Sequence, residues 1–456
     1  MPTKHFSAYA GAWDERAAAH LLRRTGFGAS PEQIATASEQ GLEATIESLF
    51  AEDAEQETQF QQTFDRVSNG LLNFTDTTWV QSWWVYRMLT SRVPLREKLT
   101  LFWHGHFATS VYKVEDAWLM HRQIETLRQQ AFGNFRDLVL AVAKDAAMSV
   151  YLDGQANTKE HPNENFAREL MELFTCGIGN YTEADVLAAA RAFSGWNRTG
   201  AEFHFNADAH DTSRKTFLGK SGRFDGTDVI DILMQQPATP RFITSKLLRF
   251  FASPNPSDEV IAEAADVFDR TQFNVKWFLR ELFQSNYFFS NECYRARISS
   301  PAEYVIGTVR SLGVRIDAPN LINHMNSMGQ TLLAPPNVKG WDGEKKWINS
   351  TTWPARVAFA EFLTQLYSDY PIGPHLPSDR IVNPEIADPN KIVSTLASRL
   401  ALPELSAEAH RELTNFLVQT DAGPNPAQFR EDQGFRTDKT RQLISVILSL
   451  PEAHAC

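Results

Sequence analysis

Apolar residues recur along most of this chain at spacings of three and four, the pattern of helices that bury one face. Asp14–Arg24 places Ala17, Leu21 and Leu22 on one side and stops at Gly26 and Gly28. Ser30-Pro31-Glu32 restarts a helix, with Ser30 as N-cap and Pro31 at the first position, where a missing N–H costs nothing. The same period predicts helices over Leu42–Leu49, Trp79–Thr90, Pro94–Trp103, Val114–Gln130, Phe135–Met148 and Asn163–Cys176. A further helix, capped by Thr182, runs to about Trp196, and the period resumes at Gly226–Met234, Pro240–Phe251, Asp258–Arg270 and Val275–Gln284. Ala302–Leu312, Leu321–Met328 and Thr352–Leu366 follow, and two or three helices close the chain near Leu450.

Three stretches break this period. Between Gly200 and Lys220, Phe203 and Phe205 alternate with His204 and Asn206, a strand-like period of two. Ala334–Trp347 is rich in Pro, Gly and Trp and reads as a loop, and Asp369–Asn390, with five prolines, as a linker or surface excursion. The expected fold is mainly α: a large multi-helix globular fold with a small β-hairpin or ordered loop insertion near 200–220. Its parts are an N-terminal helical region over 1–199, the insertion over 200–225 and a C-terminal helical region over 226–456, the two helical regions sharing one continuous core.

Composition narrows the function classes. The chain has 456 residues, 43% of them hydrophobic, which is ample for a sizeable core. Its net charge of −11 repels phosphate backbones and anionic headgroups, so nucleic acid is not an expected partner. No run approaches the roughly 18 apolar residues that span a bilayer, so membrane insertion is not expected. The first twenty residues have no apolar h-region; the expected location is cytoplasmic, or outside the cell if a leader has been removed. Cys176, Cys293 and Cys456 are far apart and form no CxxC, so neither a disulfide framework nor a thiolate zinc site is encoded. No phosphate-binding glycine loop, GxSxG elbow or HExxH occurs.

Four polar clusters carry candidate chemistry. In FWHGHF, Phe102–Phe107, His104 and His106 bracket a glycine. Residues two apart on a helix point about 200° from one another, so the two imidazoles share a metal only if the chain turns there, which Gly105 permits. The alternative is two hydrogen-bonded histidines in an aromatic core. In HPNENFARELMELF, His161–Phe174, the residues Asn163, Glu164, Asn165, Arg168, Glu169 and Glu172 lie within ten positions. Carboxylates beside an apolar helix face are costly unless paired, ligated or solvated; Glu164 with Arg168 is also the spacing of an ordinary surface pair. The third is His210-Asp211, with Lys215 as a salt-bridge partner to the acid. The fourth is PPNVKGWDGEKKW, Pro335–Trp347, where Trp341 and Trp347 offer flat faces to a ligand or to the helices beneath.

The stretches AHLLRRTGFGAS, REKLTLFWHGHFATS, NENFARELMELFTCGIGNYTEADV, RAFSGW, PATPRFITSKLLRFF and APPNVKGWDGEKKWINSTT together resemble the family called domain of unknown function 1800, from about Ala19 to Ala360. The resemblance implies a mainly helical protein and no settled activity. It also implies a possible protein partner from the family called domain of unknown function 1501. The polar residues of the first two clusters fall inside the matching stretches.

These readings combine into the expectation of a metal-dependent enzyme, a hydrolase or an oxygen-activating oxidoreductase. His104, His106, Glu164, His210 and Asp211 would hold zinc, iron or manganese, the metals that mixed imidazole and carboxylate donors suit. Arg168, Glu169 and Glu172 would be catalytic, and Asn163, Asn165, Trp341 and Trp347 would bind substrate. Two rival expectations stand beside it: a non-catalytic module that binds protein or polysaccharide through the tryptophan loop, and metal-free acid–base catalysis by Glu169 and Glu172 with an imidazole nearby.

Overall fold

The computed structural model describes residues 4–51, 54–68, 76–365, 374–377, 381–400, 402 and 405–456. Residues 366, 369–373 and 378–380, part of the expected final helix turn and of the Asp369–Asn390 stretch, lie outside the described residues. The fold is mainly α, with small antiparallel hairpins and no larger sheet among the described residues. Side-chain caps start most helices, because the first turn leaves N–H groups without intrahelical partners. Asp14 accepts from the Ala17 N–H at 2.9 Å. Ser30 with Gln33, Thr182 with Asp185, and Ser300 with Glu303 form reciprocal capping boxes. The main hydrophobic cluster runs from Phe6 to Leu448. No described helix is long and apolar enough to cross a membrane.

Several predicted helices are divided. Val114–Gln130 breaks at Glu115, whose φ of 54° is left-handed, and Asp116 caps a new helix over Ala117–Gln129. Phe135–Met148 ends first at Ala143, and Asp145 caps a short helix over Ala146–Tyr151. Asn163–Cys176 is α-helical only over Asn165–Glu169 and widens to a π-helix over Leu170–Thr175. The helix after Thr182 stops at Ala192, and Trp196 begins a strand instead. Gly195 makes that corner with a φ of 76°; a side chain there would run into the Asn206 carbonyl oxygen and His210.

Two hairpins stand where the period of two was read. Trp196–Thr199 pairs with Glu202–Phe205, and Lys215–Phe217 pairs with Lys220–Gly222. The Pro-, Gly- and Trp-rich segment is a loop as read from its composition, closed by a 3-10 turn over Glu344–Trp347. It docks on the Pro94–His106 helix, which itself packs on Ala117–Gln129. The Ala238–Phe251 helix approaches the π-helical segment from the other side.

Candidate functional site

The helix that opens at Pro94 does not stop at Trp103; it runs through His106, and the Phe107 N–H closes it on the Trp103 carbonyl at 2.7 Å. His104 and His106 therefore leave opposite sides of one helix, and the turn needed for a shared metal is absent. Gly105 instead meets the docked loop through its main chain. Gly340 of the docked loop lies so close that a Cβ on it would fall inside the Gly105 carbonyl oxygen, and the Trp341 ring sits 3.6 Å from the position of a Cβ on Gly105. The close approach therefore depends on Gly340; a Cβ on Gly105 would make only ordinary contact with the loop.

His104 is fully buried, edge-on to Trp84 and Trp341, each with ring centroids 5.6 Å away. Neither of its ring nitrogens has a hydrogen-bond partner among the described residues. Burial pulls its pKa down to about 3, so the ring is neutral. His106 is 3% exposed and differently placed. Its Nε2 lies 3.0 Å from the Phe174 carbonyl oxygen and its Nδ1 lies 3.1 Å from Lys246 Nζ. A carbonyl only accepts, so Nε2 carries the proton and Nδ1 accepts from Lys246. Burial first, then the Lys246 charge, hold this imidazole well below its usual pKa.

The acidic cluster meets FWHGHF through its main chain. In the π-helical segment the Cys176 N–H reaches back five residues to Met171 at 3.1 Å. The carbonyls of Leu173 and Phe174, in the last turn, accept from Lys246 Nζ at 3.0 Å and from His106. Most side chains of the cluster have local partners. Arg168 binds Glu164 at 3.0 Å and Glu183 at 2.7 Å on the surface. The Tyr181 hydroxyl donates to Glu172 at 2.8 Å. Asn163 and Asn165 donate through their side-chain amides to the Asp153 carbonyl and carboxylate, both at 3.2 Å. Glu169 is half-buried, and burial followed by the Glu172 charge raises its pKa.

The third cluster is also closed on itself. His210 Nδ1 lies 2.8 Å from the Ser194 carbonyl. Asp211 takes Arg191 Nε at 2.7 Å and the Ser213 N–H at 2.8 Å, with Lys215 Nζ 3.9 Å away. Burial pushes the Asp211 carboxyl up, but Ser213 and Arg191 outweigh it and hold the acid below the usual range.

The expected metal set is thus not assembled. Among the described residues, the donor atoms of His104, His106, Glu164, His210 and Asp211 do not converge; the His/carboxylate group that does gather, within 4.8 Å, is His5, Glu259 and Glu263 near the N-terminus. Among the described residues these five do not gather as the ligands of one zinc, iron or manganese ion.

What the structure assembles instead is a cleft of about 250 Å³ between the Pro94–His106 and Ala238–Phe251 helices and the docked loop. His106 and Lys246 form its floor, Phe102 and Phe250 one wall, and Trp341 and Trp347 line it from the loop. Arg249, Arg297 and Lys339 add charge against the carboxylates of Asp342 and Glu344. Glu344 is already bound to Arg297 at 3.2 Å, so the cleft is net cationic in an acidic chain. Lys246 Nζ sits 4.7 Å from the Phe242 ring centre, and burial, then the Arg249 charge, draw its pKa down to about 8. Sequence reasoning missed Lys246. Its signal is a lysine four residues after Phe242 and four before Phe250, inside an apolar stripe where a cation is costly without partners.

A family model described as Protein of unknown function (DUF1800) matches residues 20–454, nearly the whole chain. Neither a curated protein nor a solved structure matches it.

Proposed function

We propose, for a chain that belongs to the DUF1800 family, that the cleft floored by His106 and Lys246 binds a small organic anion and performs metal-free acid–base chemistry on it. The observation that carries this reading is the 3.1 Å contact between Lys246 Nζ and His106 Nδ1 inside a net cationic cleft. A lysine drawn to about 8 is charged at neutral pH and supplies or takes a proton near working conditions. His106, kept neutral with its tautomer set by Phe174, is the adjacent acceptor. Arg249 and Lys339 would draw in the anion, and the aromatic walls would strengthen every charge interaction by excluding water.

Metal-dependent hydrolysis or oxidation draws no support from the ligand geometry. A purely binding role for the tryptophan loop uses the same cleft, since Trp341 and Trp347 both line it; it differs in needing no titrating lysine.

Thermal-shift titration with acetate, oxalate, malonate and phosphate tests the reading. At least one anion is expected to raise the melting temperature of the wild type, with the shift fading as pH rises through about 8 while Lys246 loses its charge. Arg249→Ala, at an exposed position, loses the shift, and Lys246→Met loses its pH dependence. A panel without effect, or shifts that survive both substitutions unchanged, overturns the proposal. A shift abolished by Arg249→Ala but flat with pH in the wild type leaves the binding role and removes the acid–base one.

A further inference from the structure

We propose that Lys246 is a covalent nucleophile, whose amine condenses with the aldehyde or ketone of a small oxo acid to form an imine. The proposal rests on the reading of the cleft as an anion site and goes beyond it in naming the reacting group.

The geometry orients the amine for this. Nζ has two fixed acceptors, His106 Nδ1 at 3.1 Å and the Leu173 carbonyl at 3.0 Å. Both are immobile: one belongs to the last turn of the π-helical segment, the other is pinned through Nε2 to the next carbonyl of that turn. A neutral amine that donates both N–H groups to these acceptors leaves its lone pair on the remaining side, where Lys246 lines the cleft. An ammonium with all three hydrogens has only two such acceptors and cannot attack. Burial and the Arg249 charge favour the neutral form at mildly alkaline pH. Phe102 and Trp341 would lie against the carbon skeleton of the oxo acid, and Arg249 and Lys339 would take its carboxylate.

The steps balance without an oxidant or reductant. The Nζ lone pair attacks the carbonyl carbon, the π pair moves to oxygen, and the nitrogen passes one proton through His106 Nδ1 to that oxygen. The carbinolamine then gives up its second nitrogen proton, expels the hydroxyl as water and closes the C=N bond. One amine and one carbonyl yield one imine and one water.

The test is reductive trapping on the full chain: glyoxylate with cyanoborohydride at mildly alkaline pH, then digestion and peptide mass spectrometry. A carboxymethyl group is expected on Lys246 on the order of tenfold faster than on Lys345 and Lys346, two exposed lysines in the same molecule, because the cleft orients the Lys246 amine and holds it largely neutral at that pH. Lys246→Met removes that adduct and leaves the slow ones. In parallel, oxalate is tested for protection of Lys246 against acetic anhydride. Protection with no preferential adduct overturns the imine and leaves the anion site standing. Neither protection nor adduct overturns both. Preferential adduct formation establishes the nucleophile whatever oxalate does.

Discussion

The carbonyl oxygen of Gly105 occupies the space that a side chain on Gly340 would need, so a helix and a loop touch main chain to main chain at the rim of the cleft. This contact sets where Trp341 lies, and with it the shape of the wall above His106 and Lys246.

The two glycines are therefore expected to respond with opposite signs. Gly340 has a φ of 83° as well as no space, so Gly340→Ala strains the loop by at least ~1–2 kcal/mol from the left-handed backbone alone and lifts Trp341. A Cβ on Gly105 meets the Trp341 ring at an ordinary 3.6 Å, so Gly105→Ala is neutral or gains up to about 1 kcal/mol of helix propensity. Urea unfolding followed by tryptophan fluorescence compares the pair; equal effects would mean the loop is not docked as described.

His104 makes stability fall in acid. Its folded pKa is about 3, against an ordinary value of 6.5, so between those limits the unfolded chain binds a proton that the folded chain refuses. Stability thus rises with pH across that window and is lost on acidification, by an amount on the order of a few kcal/mol at its lower end. His104→Phe keeps a ring against Trp84 and Trp341 and removes the titration. The difference in melting temperature between variant and wild type is expected to widen in the variant's favour as pH drops below about 6.5. A constant difference from pH 7 downward would place the proton elsewhere.

Glu303 closes a buried charge cluster beneath the cleft, bound to Lys98 at 2.9 Å and to Arg297 at 3.2 Å while capping its own helix through the Ser300 N–H. Burial opposes its ionisation, yet the two cations win and hold it well below the usual carboxylate range. Glu303→Gln leaves both cations without their shared anion and is expected to cost about 3–5 kcal/mol. Chemical denaturation at neutral pH measures it. The contribution of Glu303 is in place above the ordinary carboxylate range and is lost as pH falls below it toward the depressed folded value.

Arg168 is expected to be dispensable. Its partner Glu183 is solvent-exposed and Glu164 partly so, and such surface pairs add little. Arg168→Ala should melt with the wild type and keep the anion response. Loss of that response would return the acidic cluster to the site.

Most of the helical architecture was legible because its signals are local: a capping residue, a period, a stop. The breaks at Glu115 and Asp145 were missed because apolar spacing continues across them, and only the capping aspartates mark the new starts. FWHGHF misled for a different reason. Gly105 permits a turn, but an interior helix tolerates one glycine, and this one lies against a loop more than two hundred residues further on. The segment that carries the acidic cluster reaches His106 and Lys246 through the carbonyls of Leu173 and Phe174, which every residue owns and no letter advertises. Trp341 and Trp347 line the cleft from a loop whose composition marks it as one, but which helices it docks on is not written in its own residues.

The widened turn at Leu170–Thr175 has a genetic corollary. Its side chains are mostly core, so exchanging one costs packing, but the oxygens of Leu173 and Phe174 that hold His106 and Lys246 belong to the main chain and no single side chain supplies them. Deleting or inserting a single residue there would slide both acceptors out of register at once. A loss of the site on change of length, even where packing is kept, is the signature this segment should leave.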